Sequence, residues 1–179
     1  MRALFLIGCA VWSIGCSALG AQPKLAATAV LQDEHGAEVG TAELRPADGG
    51  VEIAIEFHGL PPGEHALHIH NVGQCHVGEG GEKSFASAGP HFNPFGKQHG
   101  RANPAGPHAG DLPNFTAAAD GTAHVEVLAD LVTLAEGAPN SLFQPGGTCL
   151  VVHAKADDEV TDPAGNAGQR LACGLIQKP

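Results

Sequence analysis

Val51-Glu52-Ile53-Ala54-Ile55-Glu56-Phe57 decides what fold this chain can adopt. Large apolar residues recur at every second position with Glu or Ala between them, the two-residue period of a strand that buries one face. Weaker alternation recurs at 25–31, 39–44, 65–69, 123–128, 150–153 and 171–176. Turn-forming clusters separate these runs: Asp33-Glu34-His35-Gly36, Ala47-Asp48-Gly49-Gly50, Pro61-Pro62-Gly63 and Asp120-Gly121. No segment carries a long amphipathic helical period. Short strands punctuated this way predict an all-β antiparallel sandwich or barrel.

Two stretches break the pattern by being too long. Residues 71–112 show little alternation, and 154–169 are rich in Gly, Pro, Asp and Asn. A structureless loop beyond about 12–15 residues inside a compact domain is normally functional or disordered. Something external is therefore expected to order these, and the first of them contains His76, His91, His99, His108 and Asp111. Metal–ligand bonds can replace the backbone pairing that such a segment lacks.

The ends of the chain and its charge bound the setting. Met1-Arg2, the apolar run 3–15 and the small residues Ser17, Ala18 and Gly20 read as an export signal over 1–20, cleaved after Gly20. The apolar run is shorter than the roughly 20 residues a membrane span needs. Cys16 offers a lipoprotein-type alternative in which it carries a lipid anchor. Residues 21–179 then form one domain, exported to a periplasmic or extracellular space, with no internal repeat and no membrane span. Losing Arg2 with the signal takes the formal charge from −10 to −11, which argues against nucleic acid as a partner. Export permits a disulfide. Of the three remaining cysteines, Cys149 lies inside the apolar run 148–152 and reads as an inert core thiol, leaving Cys75 and Cys173 as the expected bridge. No segment is a clearly exposed apolar interface, so homodimer and monomer both stay open.

His68 and His70, two apart on a strand, project from the same face, and His153 ends another apolar strand. With His91, His99, His108 and Asp111 they make seven candidate ligands. All-nitrogen ligation suits copper as well as zinc, while mixed histidine and carboxylate ligation suits zinc. Two four-coordinate sites need eight bonds, so one imidazole would have to serve both ions.

Leu67-His68-Ile69-His70, Gly89-Pro90-His91-Phe92-Asn93-Pro94, the segment 108–114 (HAGDLPN), 150–158 (LVVHAKADD) and 165–174 (GNAGQRLACG) together resemble the copper/zinc superoxide dismutases, in the family's order. The resemblance implies an eight-stranded Greek-key β-barrel with two long functional loops. It also implies one copper per subunit on His68, His70, His91 and His153, and one zinc on His91, His99, His108 and Asp111. His91 would bridge them, and Asp157 would hydrogen-bond His68 and His99. The implied activity is disproportionation of superoxide to dioxygen and hydrogen peroxide, with His91 carrying a proton and Arg170 docking the anion. The second loop departs from many members in having only Lys155 as a lysine, so steering falls to Arg170, the metals and Lys97 or Lys155. A non-enzymatic copper carrier or copper/zinc-binding protein on the same scaffold is the other reading; the full set of copper histidines speaks against it.

His35 reads as a turn residue and His58 and His124 as strand-edge or outer-face residues, His65 precedes the strand of His68 and His70, and His76 follows Cys75 in the loop with adventitious metal binding as its alternative. Asn114-Phe115-Thr116 is a formal glycosylation sequon.

Overall fold

The structure, a computed structural model, describes residues 24–78 and 84–179. The expected export signal over 1–20 and the lipid-anchor alternative at Cys16 lie outside the described residues. Nine strands occur among the described residues: β1 (Ala27–Asp33), β2 (Glu38–Ala47), β3 (Gly50–Phe57), β4 (Gly63–His65), β5 (Leu67–His70), β6 (Phe115–Ala117), β7 (Ala123–Ala129), β8 (Cys149–His153) and β9 (Arg170–Leu175). Seven form an antiparallel sheet in the order β5-β8-β9-β1-β2-β3-β7, and β4 pairs with β6. β4 leads into β5 through Ala66 alone, and β6 packs beside β7, so the two ends of the large sheet are drawn round toward each other. Counting β4 and β5 as one strand broken at Ala66 recovers the eight expected. The break follows from Ala66 turning its backbone to β8 and its loop: its N–H donates to the Lys155 carbonyl, and its carbonyl accepts from His153.

The alternation in β3 is what fills the interior. Val51, Ile53, Ile55 and Phe57 are buried while Glu56 on the opposite face is exposed. They meet Ala29 and Leu31 of β1, Ala42 and Leu44 of β2, and Leu150 and Val152 of β8 in one core. Each such large side chain taken from water contributes about 1.5–3 kcal/mol. β6 escapes the sequence pattern because it is three residues long; its Phe115 stacks on Phe57 with ring centres 4.8 Å apart.

β8 does not alternate, and the reason is structural. All five of its residues are buried, since its second face carries Cys149 and Val151 into a smaller cluster with Phe85, Ala88 and Cys173. The segment after β5 covers that face and is tied down by the Cys75–Cys173 disulfide. Cys149 is the free thiol beneath it, hydrogen-bonded to the Val72 carbonyl at 3.1 Å and pushed up to about 12 by burial, hence a protonated, unreactive group at neutral pH.

Candidate metal centre

Backbone hydrogen bonds within 84–112 and to β5 reach further than the composition of this loop suggests. His91 and Asp111 sit at isolated β-bridges opposite His70 and His68. Ile69, Phe92 and Gly110 exchange a ring of backbone hydrogen bonds: Ile69 N to Gly110 O, Gly110 N to Phe92 O and Phe92 N to Ile69 O, at 2.8–2.9 Å. Only glycine fits at 110, where a Cβ would lie 2.3 Å from the Ile69 carbonyl oxygen. Bridges to β5 aim the side chains of this loop, in addition to the ordering by metal that the sequence leads one to expect.

The first set is His68, His70, His91 and His153, all buried, with one nitrogen of each within 4.8 Å of the others. The proton positions follow from the partners. His68 Nε2 faces Asp157 Oδ2 at 2.7 Å, His70 Nδ1 faces the Gly89 carbonyl at 2.9 Å, and His91 Nδ1 faces Asp111 Oδ1 at 2.9 Å. Each of these acceptors calls for an N–H, which leaves His68 Nδ1, His70 Nε2 and His91 Nε2 with bare lone pairs. His153 Nδ1 lies 3.5 Å from the Gly168 carbonyl, leaving its Nε2 opposite His70 Nε2 at 3.4 Å. Lone pairs facing each other repel unless a cation lies among them. His68 Nδ1 and His91 Nε2 are buried with no hydrogen-bond partner at all, an arrangement that a protein avoids unless a ligand completes it.

The second set is His91, His99, His108 and Asp111. The Nδ1 atoms of His91, His99 and His108 surround Asp111 Oδ1 at 2.9, 3.1 and 3.4 Å, and His108 Nδ1 is likewise without a hydrogen-bond partner. Asp111 Oδ2 is fixed by the N–H groups of Gly100 and His108, both at 2.9 Å. His91 belongs to both sets, with one nitrogen turned to each.

Electrostatics separate the two. Burial lowers His91 to about 4 against the opposing pull of Asp111, and burial together with His68 and His91 lowers His153 to about 3. Burial, His91 and Arg170 hold His70 well below its ordinary value. These rings are neutral at physiological pH and present lone pairs without first shedding a proton. Burial would also lower His99, but Asp111 on Nδ1 and Asp157 on Nε2 outweigh it and raise the ring to about 9. Burial would raise Asp111; its contacts with His108, His91 and His99 prevail and hold it ionised. Four imidazoles fit a copper ion, and three imidazoles with a carboxylate fit zinc.

Asp157 spans the two sets, its Oδ2 on His68 Nε2 at 2.7 Å and its Oδ1 on His99 Nε2 at 3.0 Å. Gly165, at φ +60°, makes room for it, since a Cβ there would fall 1.8 Å from Asp157 Oδ1. The set of four histidines opens on a cavity of about 980 Å³ lined by His91, His153, Arg170, Gln169, Pro163 and Glu34 among others. Arg170 is locked in place by the carbonyls of Phe85 (2.5 Å) and Gly89 (2.6 Å). Lys97 and Lys155 are exposed and do not line this cavity, so of the cations considered from sequence only Arg170 stands at it.

Two supporting residues were assigned no part in the site from sequence. His65 is buried, and its two ring nitrogens face the carbonyls of His153 (2.8 Å) and Pro61 (2.7 Å). Its position in the same alternating run as Leu67 and Ile69 was the available signal. Asn114 pairs with the Asp157 backbone, and no spacing rule reveals that. His35, His58, His76 and His124 are exposed, as expected.

The sequence profile described as "Copper/zinc superoxide dismutase (SODC)" matches residues 38–176. This chain belongs to the copper/zinc superoxide dismutase family. It is 49% identical over 154 residues to "Superoxide dismutase [Cu-Zn] 2" of Aquifex aeolicus (strain VF5), covering 86% of this chain and 87% of that protein. "Superoxide dismutase [Cu-Zn] 1" of the same organism is 45% identical over 170 residues, covering 93% and 98%. Among solved structures, a double mutant of a superoxide dismutase-like protein from Bacillus subtilis superposes with a TM-score of 0.77 at 39% identity, covering 83% of this chain and 95% of that one.

Proposed function

We propose that this chain disproportionates superoxide, with copper held by His68, His70, His91 and His153 and zinc by His91, His99, His108 and Asp111. The observation that carries this reading is the convergence of four histidine lone pairs at an open cavity beside a fixed arginine. Bound copper supplies one-electron chemistry, oxidising one superoxide to dioxygen and reducing another to peroxide, while zinc has no redox chemistry. Arg170 offers the incoming anion a cation that its two carbonyl contacts keep from swinging away. His91 Nε2, facing the first set, is the atom that can hold a proton and return it to the product. Asp157 fixes the rings of His68 and His99, and Asp111 fixes His91. A plain metal carrier has no use for Arg170 at the mouth of an open cavity, which sets the enzyme above the copper-carrier reading.

The test is to load the purified protein with both metals, count them, and follow superoxide consumption. One copper and one zinc per chain with rapid consumption is expected; full copper occupancy without turnover would exclude the enzyme. Raising ionic strength from about 0.01 to 0.2 M is expected to lower the rate about twofold, the screening of one unit charge at the entrance. A rate indifferent to salt would remove Arg170 from substrate steering.

Export fits the Cys75–Cys173 disulfide, since such bridges persist in oxidising compartments. Residues 1–20 are read as the signal and 21–179 as one domain in the periplasm or outside the cell. The mass of the exported protein distinguishes cleavage after Gly20 from lipidation at Cys16.

A further inference from the structure

We infer that Asn114 is a positioning residue for both metal sites, acting through Asp157; this rests on the assignment of copper and zinc above. Asn114 and Asp157 are joined twice: Asn114 Nδ2 donates to the Asp157 carbonyl at 2.8 Å, and the Asp157 N–H donates to Asn114 Oδ1 at 2.8 Å. A primary amide alone among common side chains offers donor and acceptor at that spacing. The pairing fixes the Asp157 peptide on both sides and so the direction in which its carboxylate leaves the chain. That carboxylate then holds His68 and His99, one ring from each set.

The other contacts of Asp157 leave this part to Asn114. The Glu159 N–H donates to Asp157 Oδ1 at 2.6 Å, and Gly165 gives the carboxylate its space; the Gly165 carbonyl also accepts from the Asp158 N–H at 2.9 Å and steadies the peptide that follows Asp157, but it is Asn114 that holds the Asp157 N–H and carbonyl together. Asn114 immediately precedes β6, whose Phe115 is stacked into the core on Phe57. The rigid interior is thereby connected to the 154–169 loop at the one residue of that loop that touches both ligand sets. The same two hydrogen bonds occupy the amide that the Asn114-Phe115-Thr116 sequon would offer to a glycan.

A double-mutant cycle on the metal-loaded protein tests this, reading zinc affinity by chelator competition and the visible absorption of bound copper. Asn114→Ala is expected to weaken zinc binding by about 10–100-fold, the usual cost of losing an outer partner, and to shift the copper band as Asp157→Ala does. The double variant is expected to match Asp157→Ala within about twofold, because Asn114 acts through that residue. Thr116→Ala, which destroys the sequon and spares the amide, is expected to change neither readout. Additive losses in the cycle, or Asn114→Ala binding zinc like the parent, would overturn the inference. Should Asn114→Ala not fold, Asn114→Asp, which keeps an acceptor for the Asp157 N–H, takes its place with the same criteria. Failure of the parent protein itself to bind zinc would instead overturn the metal assignment.

Discussion

His153→Ala is expected to abolish dismutation while leaving zinc bound. His153 belongs to the set of four histidines and not to the set around Asp111, and its Nε2 faces His70 Nε2 at 3.4 Å. Losing a mere outer partner of a metal ligand costs about 10–100-fold, so losing a ligand is expected to cost more than a hundredfold in copper affinity and turnover. Zinc affinity is expected to stay within a few fold of the parent. His91→Ala is the contrasting variant, because that ring serves both sets, and it is expected to weaken both metals. The ring of His153 borders the open cavity, so its removal leaves space that water can enter and little strain in β8. Metal analysis and superoxide consumption on the two variants decide the matter. Near-parental turnover by His153→Ala would remove His153 from the proposed copper site.

What the sequence disclosed and what it hid divide along physical lines. The alternation of 51–57 became β3, since a period of two has no other economical way to bury one face. His68 and His70 were legible as a pair because strand geometry sends alternate side chains the same way, and both lie in β5. β6 was hidden because three residues cannot show a period. The break at Ala66 was hidden too, being caused by partners far along the chain, Lys155 and His153. The bridges from His91 to His70 and from Asp111 to His68 come from loop backbone, which leaves no periodic trace in side-chain order. His65 and Asn114 support the site through carbonyls and peptide groups, which every residue possesses, so their partners cannot be read from residue type.

Stripped of metal, the protein is expected to be most stable near pH 6.5 and to weaken on both sides. His91 and His153 are lowered in the fold to about 4 and about 3. A lowered histidine contributes stability that is complete above the unfolded value near 6.5 and is lost as pH falls toward the folded value, because the unfolded chain takes up protons that the fold refuses. At pH 4 the two rings are expected to cost about 3 kcal/mol each, from roughly 1.4 kcal/mol per unit of pH, and His70 acts in the same direction. Asp111 and Asp157 add to the loss below the usual carboxylate range, since both are held ionised by their histidine contacts against the cost of burial. His99 works the other way. Raised to about 9, it contributes fully below 6.5 and loses that contribution as pH climbs through 9. Urea midpoints of the metal-free protein measured from pH 4 to 10 are expected to trace this peak, steeper on the acid limb where two or more rings titrate together. A profile flat between pH 7 and 5 would mean that these imidazoles are not held neutral. Because a cation competes with protons for the same nitrogens, loading with copper and zinc is expected to move the acid limb to lower pH and make it depend on free metal. At neutral pH the proposed zinc role of His99 requires its ring to lose the Nδ1 proton, so calorimetry in buffers of different ionisation enthalpy is expected to detect proton release on binding.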